Sequence, residues 1–280
     1  MNNELRKKRI RLMGLIGPIR PIGRIGLICL IGLIAVPASA EAGIKPPPSN
    51  LGLVGYWSMD DCRSTKATDF SGSGNTGSLS GFSYTGSTSN WVSGSAAKRG
   101  CALNFDGSND YVASVGTVDS YSFIQNTDIF TLSAWVYRTS NGAATIMGNT
   151  GTSVEKGFYW ILNSASAGDI SVAVLNGDGN PTGKVFTSIG GLVPLNVWTH
   201  IVVTENTTDN MKFYINGVMA TSNPVTVTST GSSSRLLDIG RYNWSTPGSY
   251  FNGSLDEVRI YNRALSAGDV LKLYNAYPHP

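Results

Sequence analysis

The sequence predicts an all-β fold: two antiparallel sheets stacked as a sandwich, with one short helix close to the C-terminus. Three observations carry this expectation. Short segments rich in β-branched and aromatic residues recur along the chain, separated by Gly, Asn, Ser and Thr, which is the pattern of strands joined by turns. Asn216-Gly217 directly follows Phe213-Tyr214-Ile215, and this dipeptide supplies the positive φ that both central positions of a type I′ hairpin turn require. From residue 51 to the end some 230 residues run on without a second linker or an internal repeat, a length that one sandwich can hold.

In chain order, the basic flank Arg6-Lys7-Lys8-Arg9 and Arg11 precedes the apolar run Ile25 to Val36, which ends in Ala38-Ser39-Ala40. This is the layout of a secretory signal spanning residues 1–40. Pro18, Arg20, Pro21 and Arg24 lengthen and break the flank, so retention as a membrane anchor is the alternative. Against it, the apolar run is about a dozen residues, short of the roughly 20 that a spanning helix needs. Residues 41–50 contain Pro46-Pro47-Pro48, which favours an extended polyproline spacer. A single domain, 51–280, follows.

Within the domain, strands are expected at Leu53 to Met59, Tyr111 to Val115, Phe130 to Tyr137, Phe158 to Leu162 and Ile170 to Leu175. Further strands are expected at Val197 to Thr204, Met211 to Ile215, Val225 to Val227, Leu236 to Ile239 and Ser254 to Tyr261. The helix begins at Ser266, whose spacing to Asp269 is that of a capping box. Val270, Leu271, Leu273 and Tyr274 give it a short apolar face, read as a plug over one end of the sandwich.

Charge and cysteine content bound the function. The whole chain carries a formal charge of +3, but seven of its 21 basic residues and only one acid, Glu4, lie in residues 1–40. The chain left after cleavage holds 14 basic and 17 acidic residues, a net charge of −3, with no Lys/Arg cluster. That removes the electrostatic footprint of a nucleic-acid binder. Cys29 leaves with the signal, and Cys62 and Cys101 remain as an even pair in an exported chain, which predicts one disulfide. Two free thiols or half of a metal site is the alternative, although neither a CxxC spacing nor a histidine partner accompanies them.

Several blocks carry a family likeness. They are Leu53-Val54-Gly55-Tyr56-Trp57-Ser58-Met59-Asp60-Asp61, then Asp69-Phe70-Ser71-Gly72-Ser73-Gly74-Asn75-Thr76-Gly77, then Ala102 to Val112 followed by Phe130 to Val136. Trp198 to Thr204 and the closing run Phe251 to Ser266, with Asp256-Glu257-Val258-Arg259-Ile260-Tyr261 at its centre, complete the series. In this order the blocks resemble the laminin-G-like, concanavalin-A-like (pentraxin-like) jelly-roll family of secreted proteins, over about residues 51 to 275. The segments Gly81 to Lys98 and Glu205 to Asn210 depart from the pattern.

The resemblance implies a jelly roll, a secreted or cell-surface location, and a module that holds glycans or proteins more often than it catalyses. It also implies a structural Ca²⁺ where the terminal strands pair. Asp60, Asp69, Asn75 and Asp256 are the matching hard oxygen ligands, and the alternative is that they are turn carboxylates accepting backbone amides. Asp106 and Asp110, around Gly107-Ser108-Asn109, read as turn residues.

Among the aromatic residues, Trp57, Trp135, Trp160 and Trp198 fall in apolar strands and are assigned to the core. Trp91, Arg241, Tyr242, Trp244 and Tyr250 are the candidates for ligand contact, because flat rings stack on sugar C–H faces beside polar neighbours for hydroxyls.

Catalytic signatures do not emerge. A Glu-x-Asp-x-x-Glu strand, HExxH, a Gly-x-Ser-x-Gly elbow and a P-loop are all missing from the sequence. Asp256 and Glu257 are adjacent and are expected to point to opposite faces of a strand, whereas glycoside hydrolysis needs two carboxyl groups facing one bond. The two histidines, His200 and His279, lie in an apolar strand and in the C-terminal tail. The expectation is a secreted, non-catalytic carbohydrate-binding or adhesion module recognising a polysaccharide or surface glycoconjugate. Its alternatives are an envelope structural or protein-interaction domain and, last, a polysaccharide-degrading enzyme. A membrane is a partner only if the signal segment is kept as an anchor.

Overall fold

The computed structural model describes residues 50–83, 90–150, 156–163, 166–176, 184–188, 190–207, 211–223, 233, 235–242 and 249–277. The chain divides into residues 1–44 and 45–280, and the described residues all belong to the second unit. The signal segment, Pro46 to Pro48, the expected strand Val225 to Val227 and Trp244 lie outside the described residues.

The strands are β1 (Leu53–Trp57), β2 (Lys66–Ala67), β3 (Gly77–Ser80), β4 (Trp91–Ser93), β5 (Cys101–Asp106), β6 (Tyr111–Val115), β7 (Phe130–Arg138) and β8 (Ala144–Gly148). They continue as β9 (Lys156–Leu162), β10 (Ile170–Asn176), β11 (Lys184–Thr187), β12 (Thr199–Glu205), β13 (Met211–Ile215), β14 (Val218–Asn223), β15 (Leu237–Ile239) and β16 (Asn252–Tyr261). One helical turn, α1 (Phe123–Asn126), precedes β7, and α2 (Ala267–Asn275) follows β16.

The first sheet has the order β14-β13-β12-β7-β16-β5-β4, with β1 also paired to β16. The second runs β11-β10-β9-β8-β15-β6-β3-β2. This is a jelly-roll sandwich of two antiparallel sheets, as the sequence led us to expect.

Alternation builds the interior. Leu103, Phe105, Leu132, Val136, Ile201, Val203, Phe213, Leu255 and Ile260 of the first sheet meet Val112, Ile146, Phe158, Trp160, Val172, Val174 and Ile239 of the second in one buried cluster. Residues one step away on each strand point outward. The β13–β14 hairpin turns at Asn216 and Gly217, with φ of 50° and 81°, as that dipeptide predicts.

The helix differs from its expected place. Ser266 caps it through the Asp269 amide, and the Asp269 side chain completes the capping box. Its Val270 and Leu273, however, join Leu53, Tyr56, Val202, Tyr214, Tyr261 and Leu265 in a second cluster. Val202 and Tyr214 stand between inward-facing neighbours, so the helix lies on the outer face of the first sheet and does not plug an end. The reason is compositional: that face offers apolar and aromatic surface that would otherwise be wet.

Cys62 and Cys101 form a disulfide across 39 residues. It ties the loop after β1 to the start of β5, next to the strand that closes the fold.

Candidate functional site

The outer face of the second sheet gathers a platform of tyrosines around one arginine. Val112, Phe158, Trp160, Leu237 and Ile239 face the core, so alternation turns Tyr111, Tyr159 and Asp238 outward. Gly148 pairs with Tyr159 on one side and with Asp238 on the other. A Cβ at residue 148 would come within 3.0 Å of Tyr159 Cβ and 3.1 Å of Tyr242 Cβ. The missing side chain therefore lets Tyr242 fold back against Tyr159, their ring centres 5.6 Å apart.

Arg241 sits between this pair and Tyr111. Its Nε donates to Asp238 Oδ2 at 2.8 Å, and its Cζ lies 3.3 Å from the centre of the Tyr111 ring. Burial opposes the charge on Arg241, but the Asp238 carboxylate, helped by Tyr250, outweighs it and holds the pKa above the ordinary value. Burial, and then Tyr242, raises the pKa of Tyr159. Tyr111, Tyr159, Arg241, Tyr242 and Tyr250 all remain partly exposed.

The result is an aromatic surface, its Tyr159 and Tyr242 rings tilted 31° to each other, with guanidinium donors fixed in place over Tyr111 and their charge balanced. Such a surface stacks apolar ring faces and hydrogen-bonds hydroxyls. Asp238 is engaged by Arg241, so that carboxylate is not free to act as an acid or base.

The other ligand candidates do not all join it. Trp91 does not: it is 8% exposed, packs in the main core and donates Nε1–H to the Ser64 carbonyl. Its strand is the edge of the first sheet, paired Trp91 to Leu103, which turns the ring inward despite the polar sequence around it. Tyr111, Tyr159, Asp238 and Gly148 were missed. Alternation within Phe158 to Leu162 was the signal for Tyr159; nothing local signalled that Gly148 makes room for Tyr242.

The expected calcium ligands divide into two pairs. Asp69 accepts from Tyr56 N, Ser71 N, Ser71 Oγ and Asn75 N at 2.8 to 3.0 Å, which fills its lone pairs as a turn carboxylate. Asn75 donates to the Val54 carbonyl at 2.9 Å. Asp60 and Asp256 instead serve one segment, Asp60 accepting Cys101 N at 3.0 Å and Asp256 Oδ2 accepting Lys98 N and Arg99 N. Four ligands so divided do not form a single coordination shell. Asp106 accepts Ser108 N and Asn109 N as a turn residue.

The adjacent acids also correct an expectation. The β16 register shifts between Asp256 and Arg259, and Glu257 takes φ of 54°. This bulge swings Glu257 onto the side of the sheet that Asp256 already faces. Glu257 Oε2 accepts from Tyr56 OH at 2.8 Å, from Tyr277 OH at 2.7 Å and from Arg259. Arg99 approaches the other oxygen at 3.7 Å. Burial, and then Glu257, pushes Asp256 well above the usual carboxylate range. Both acids are fully buried, so together they tie the terminal strands instead of facing a substrate.

A groove of about 510 Å³ lies elsewhere, on the first sheet between Tyr214, Met219 and Lys212 and the start of α2 at Leu265 and Ser266. It includes none of the platform residues.

The comparisons agree with this architecture. The family model described as the concanavalin A-like lectin/glucanases superfamily matches residues 105–271; the chain belongs to that superfamily. No curated protein sequence matches it. Among solved structures, domain 4 of AbnA, a GH43 extracellular arabinanase from Geobacillus stearothermophilus, in complex with arabinotriose, is similar with a TM-score of 0.55 and 20% identity. The match covers 79% of this chain and 98% of that one.

The receptor-binding domain of botulinum neurotoxin C/D mosaic serotype gives a TM-score of 0.59 at 15% identity, covering 81% of this chain and 52% of that one. The botulinum neurotoxin DC binding domain in complex with rat synaptotagmin II gives 0.56 at 15% identity, covering 82% and 52%. The chain thus spans about half the length of the neurotoxin domains it matches. Identities this low establish the shared fold.

Proposed function

We propose that this protein is an exported, non-catalytic carbohydrate-binding module whose ligand lies on the second-sheet platform. The observation that carries the reading is the partly exposed set Tyr111, Tyr159, Tyr242 and Arg241, with the arginine anchored by Asp238. Stacking rings beside fixed donors suit a saccharide, whose faces are apolar and whose rim is hydroxylated. The AbnA domain, solved with arabinotriose, supports the chemistry on this fold. Export is supported by the signal layout of residues 1–40 and by the Cys62–Cys101 bond, since disulfides persist in oxidising compartments.

The test is affinity electrophoresis of the exported protein through gels containing neutral and acidic polysaccharides, with N-terminal sequencing of the same sample. Retardation that Tyr242→Ala weakens, on a chain starting at Glu41, is the expected result. Unchanged mobility in every gel would overturn the reading.

A second reading, a protein-recognition module, is favoured by one neighbour solved in complex with synaptotagmin II. It predicts a specific protein captured by the wild-type chain in place of any glycan.

A further inference from the structure

We infer that the outer face of the first sheet holds a second saccharide site, so that the module is bivalent and bridges two glycan chains. This rests on the carbohydrate reading above and adds a site on the opposite side of the sandwich.

The argument starts from register. Tyr137 pairs with Ser254, and Ser254 pairs with Asn104. The pairings Thr199 to Val136 and Trp91 to Leu103 place Trp198 opposite Tyr137 and Asn90 opposite Asn104. The neighbours Val136, Leu255, Leu103 and Trp91 all face the core, so this row of five faces outward.

Contacts along the row agree with the register. The Trp198 and Tyr137 rings lie 5.6 Å apart, Ser254 Oγ donates to Asn104 Oδ1 at 3.1 Å, and Asn90 Nδ2 donates to the Asn104 carbonyl at 3.3 Å. With strands about 4.8 Å apart, the row runs for about 19 Å, the reach of several sugar units.

The helix covers the next row and stops there. Trp135 and His200, paired with each other, are stacked under Tyr274 of α2, and Lys98 lies over Trp135 at 4.2 Å. Trp198 and Tyr137 instead remain partly exposed, unlike Trp57 and Trp160, which packing alone has taken to zero exposure.

Chemistry names the ligand class. The row offers two partly exposed rings for stacking and the Asn104 amide beyond the buried Ser254, while the Asn90 amide at its far end is already held by the Asn104 carbonyl and Asp110 Oδ2. Such a set fits a neutral oligosaccharide laid across the strands. A short oligosaccharide cannot reach the outer faces of two sheets packed about 10 Å apart, so two occupied faces mean two bound glycan segments, and turbidity reads whether they belong to different chains.

The experiment uses the exported full chain with soluble linear arabinan and xylan as probes. Gel retardation reads binding, and the turbidity of protein and polysaccharide mixtures reads bridging. The variants are Trp198→Ala, Tyr137→Ala, Tyr242→Ala and the pair Trp198→Ala/Tyr242→Ala, each checked for the wild-type melting transition. Each single variant is expected to keep reduced retardation and to lose turbidity, and the pair to lose both. If Trp198→Ala does not fold, Tyr137→Ala carries the same expectation.

Wild-type retardation that Tyr242→Ala alone abolishes, or turbidity that survives Trp198→Ala or Tyr137→Ala, would overturn bivalency and leave the platform reading intact. A wild-type chain retarded by neither probe nor any other neutral glycan would remove the carbohydrate reading itself, and bivalency with it.

Discussion

Replacing Glu257 with Ala is expected to destabilise the fold by about 4 to 6 kcal/mol. In the native protein Arg259 is fully buried, and Glu257 is the carboxylate bonded to it. Removing one partner of a buried ion pair costs about 3 to 5 kcal/mol, because the other charge stays buried and uncompensated. Glu257 Oε2 also accepts the Tyr56 and Tyr277 hydroxyls, and each buried donor left without an acceptor adds about 1 to 3 kcal/mol.

These terms share one oxygen, so they add only in part. Against a total stability of about 5 to 15 kcal/mol, the loss is large enough to read as a shift in the urea midpoint, followed by tryptophan fluorescence at unchanged slope. The paired replacement Glu257→Met/Arg259→Met removes both charges and is expected to recover most of the loss. A Glu257→Ala midpoint within about 1 kcal/mol of wild type would mean that water already serves this cluster, and the reasoning would be wrong.

Three further outcomes follow from the same structure. His200 is fully buried against Ser133 and Trp135, with its pKa pushed down to about 3 by burial first, then by Arg259 and Lys98. Between that value and the ordinary 6.5 the unfolded chain binds more protons than the folded one. Stability therefore rises with pH across the window and is lost on acidification, and His200→Gln should flatten that part of a pH series of melting temperatures. Reducing the Cys62–Cys101 bond, which closes 39 residues, should lower unfolding free energy by about 4 kcal/mol on the chain-entropy account, read by urea titration with and without reductant. Because the expected calcium ligands are divided between two segments, chelator should leave the melting temperature unchanged; a calcium-dependent rise would show that the two pairs close on an ion.

How far the sequence could be read depended on whether a feature is local. The Asn216-Gly217 turn and the Ser266–Asp269 cap are set by a few adjacent residues, and both appear as expected. The disulfide followed from compartment and parity. Faces were harder. Trp135 and Trp198 lie in strands that read as core, yet both stand on the outer side of the first sheet. One is sealed by Tyr274 and Lys98, and the other is left partly exposed beside Tyr137. A helix that covers only part of a sheet produces apolar residues on both faces, so alternation no longer tells inside from outside.

The bulge at Glu257 was equally hidden, because an extra residue in one strand is defined by its partner and not by its own sequence. The aromatic platform was half legible. Arg241, Tyr242 and Tyr250 were recognisable as aromatic and polar neighbours, but Tyr111, Tyr159 and Asp238 reach them only through strand order.

The most direct test of the account is the retardation of the purified chain in a polysaccharide gel series, compared with Tyr242→Ala and Tyr159→Ala. Loss of one stacked ring worth about 1.4 kcal/mol lowers affinity about tenfold, so each variant is expected to bind the wild-type ligand about tenfold more weakly with its fold intact. Wild-type affinity in both variants would contradict the claim that this platform is the binding site.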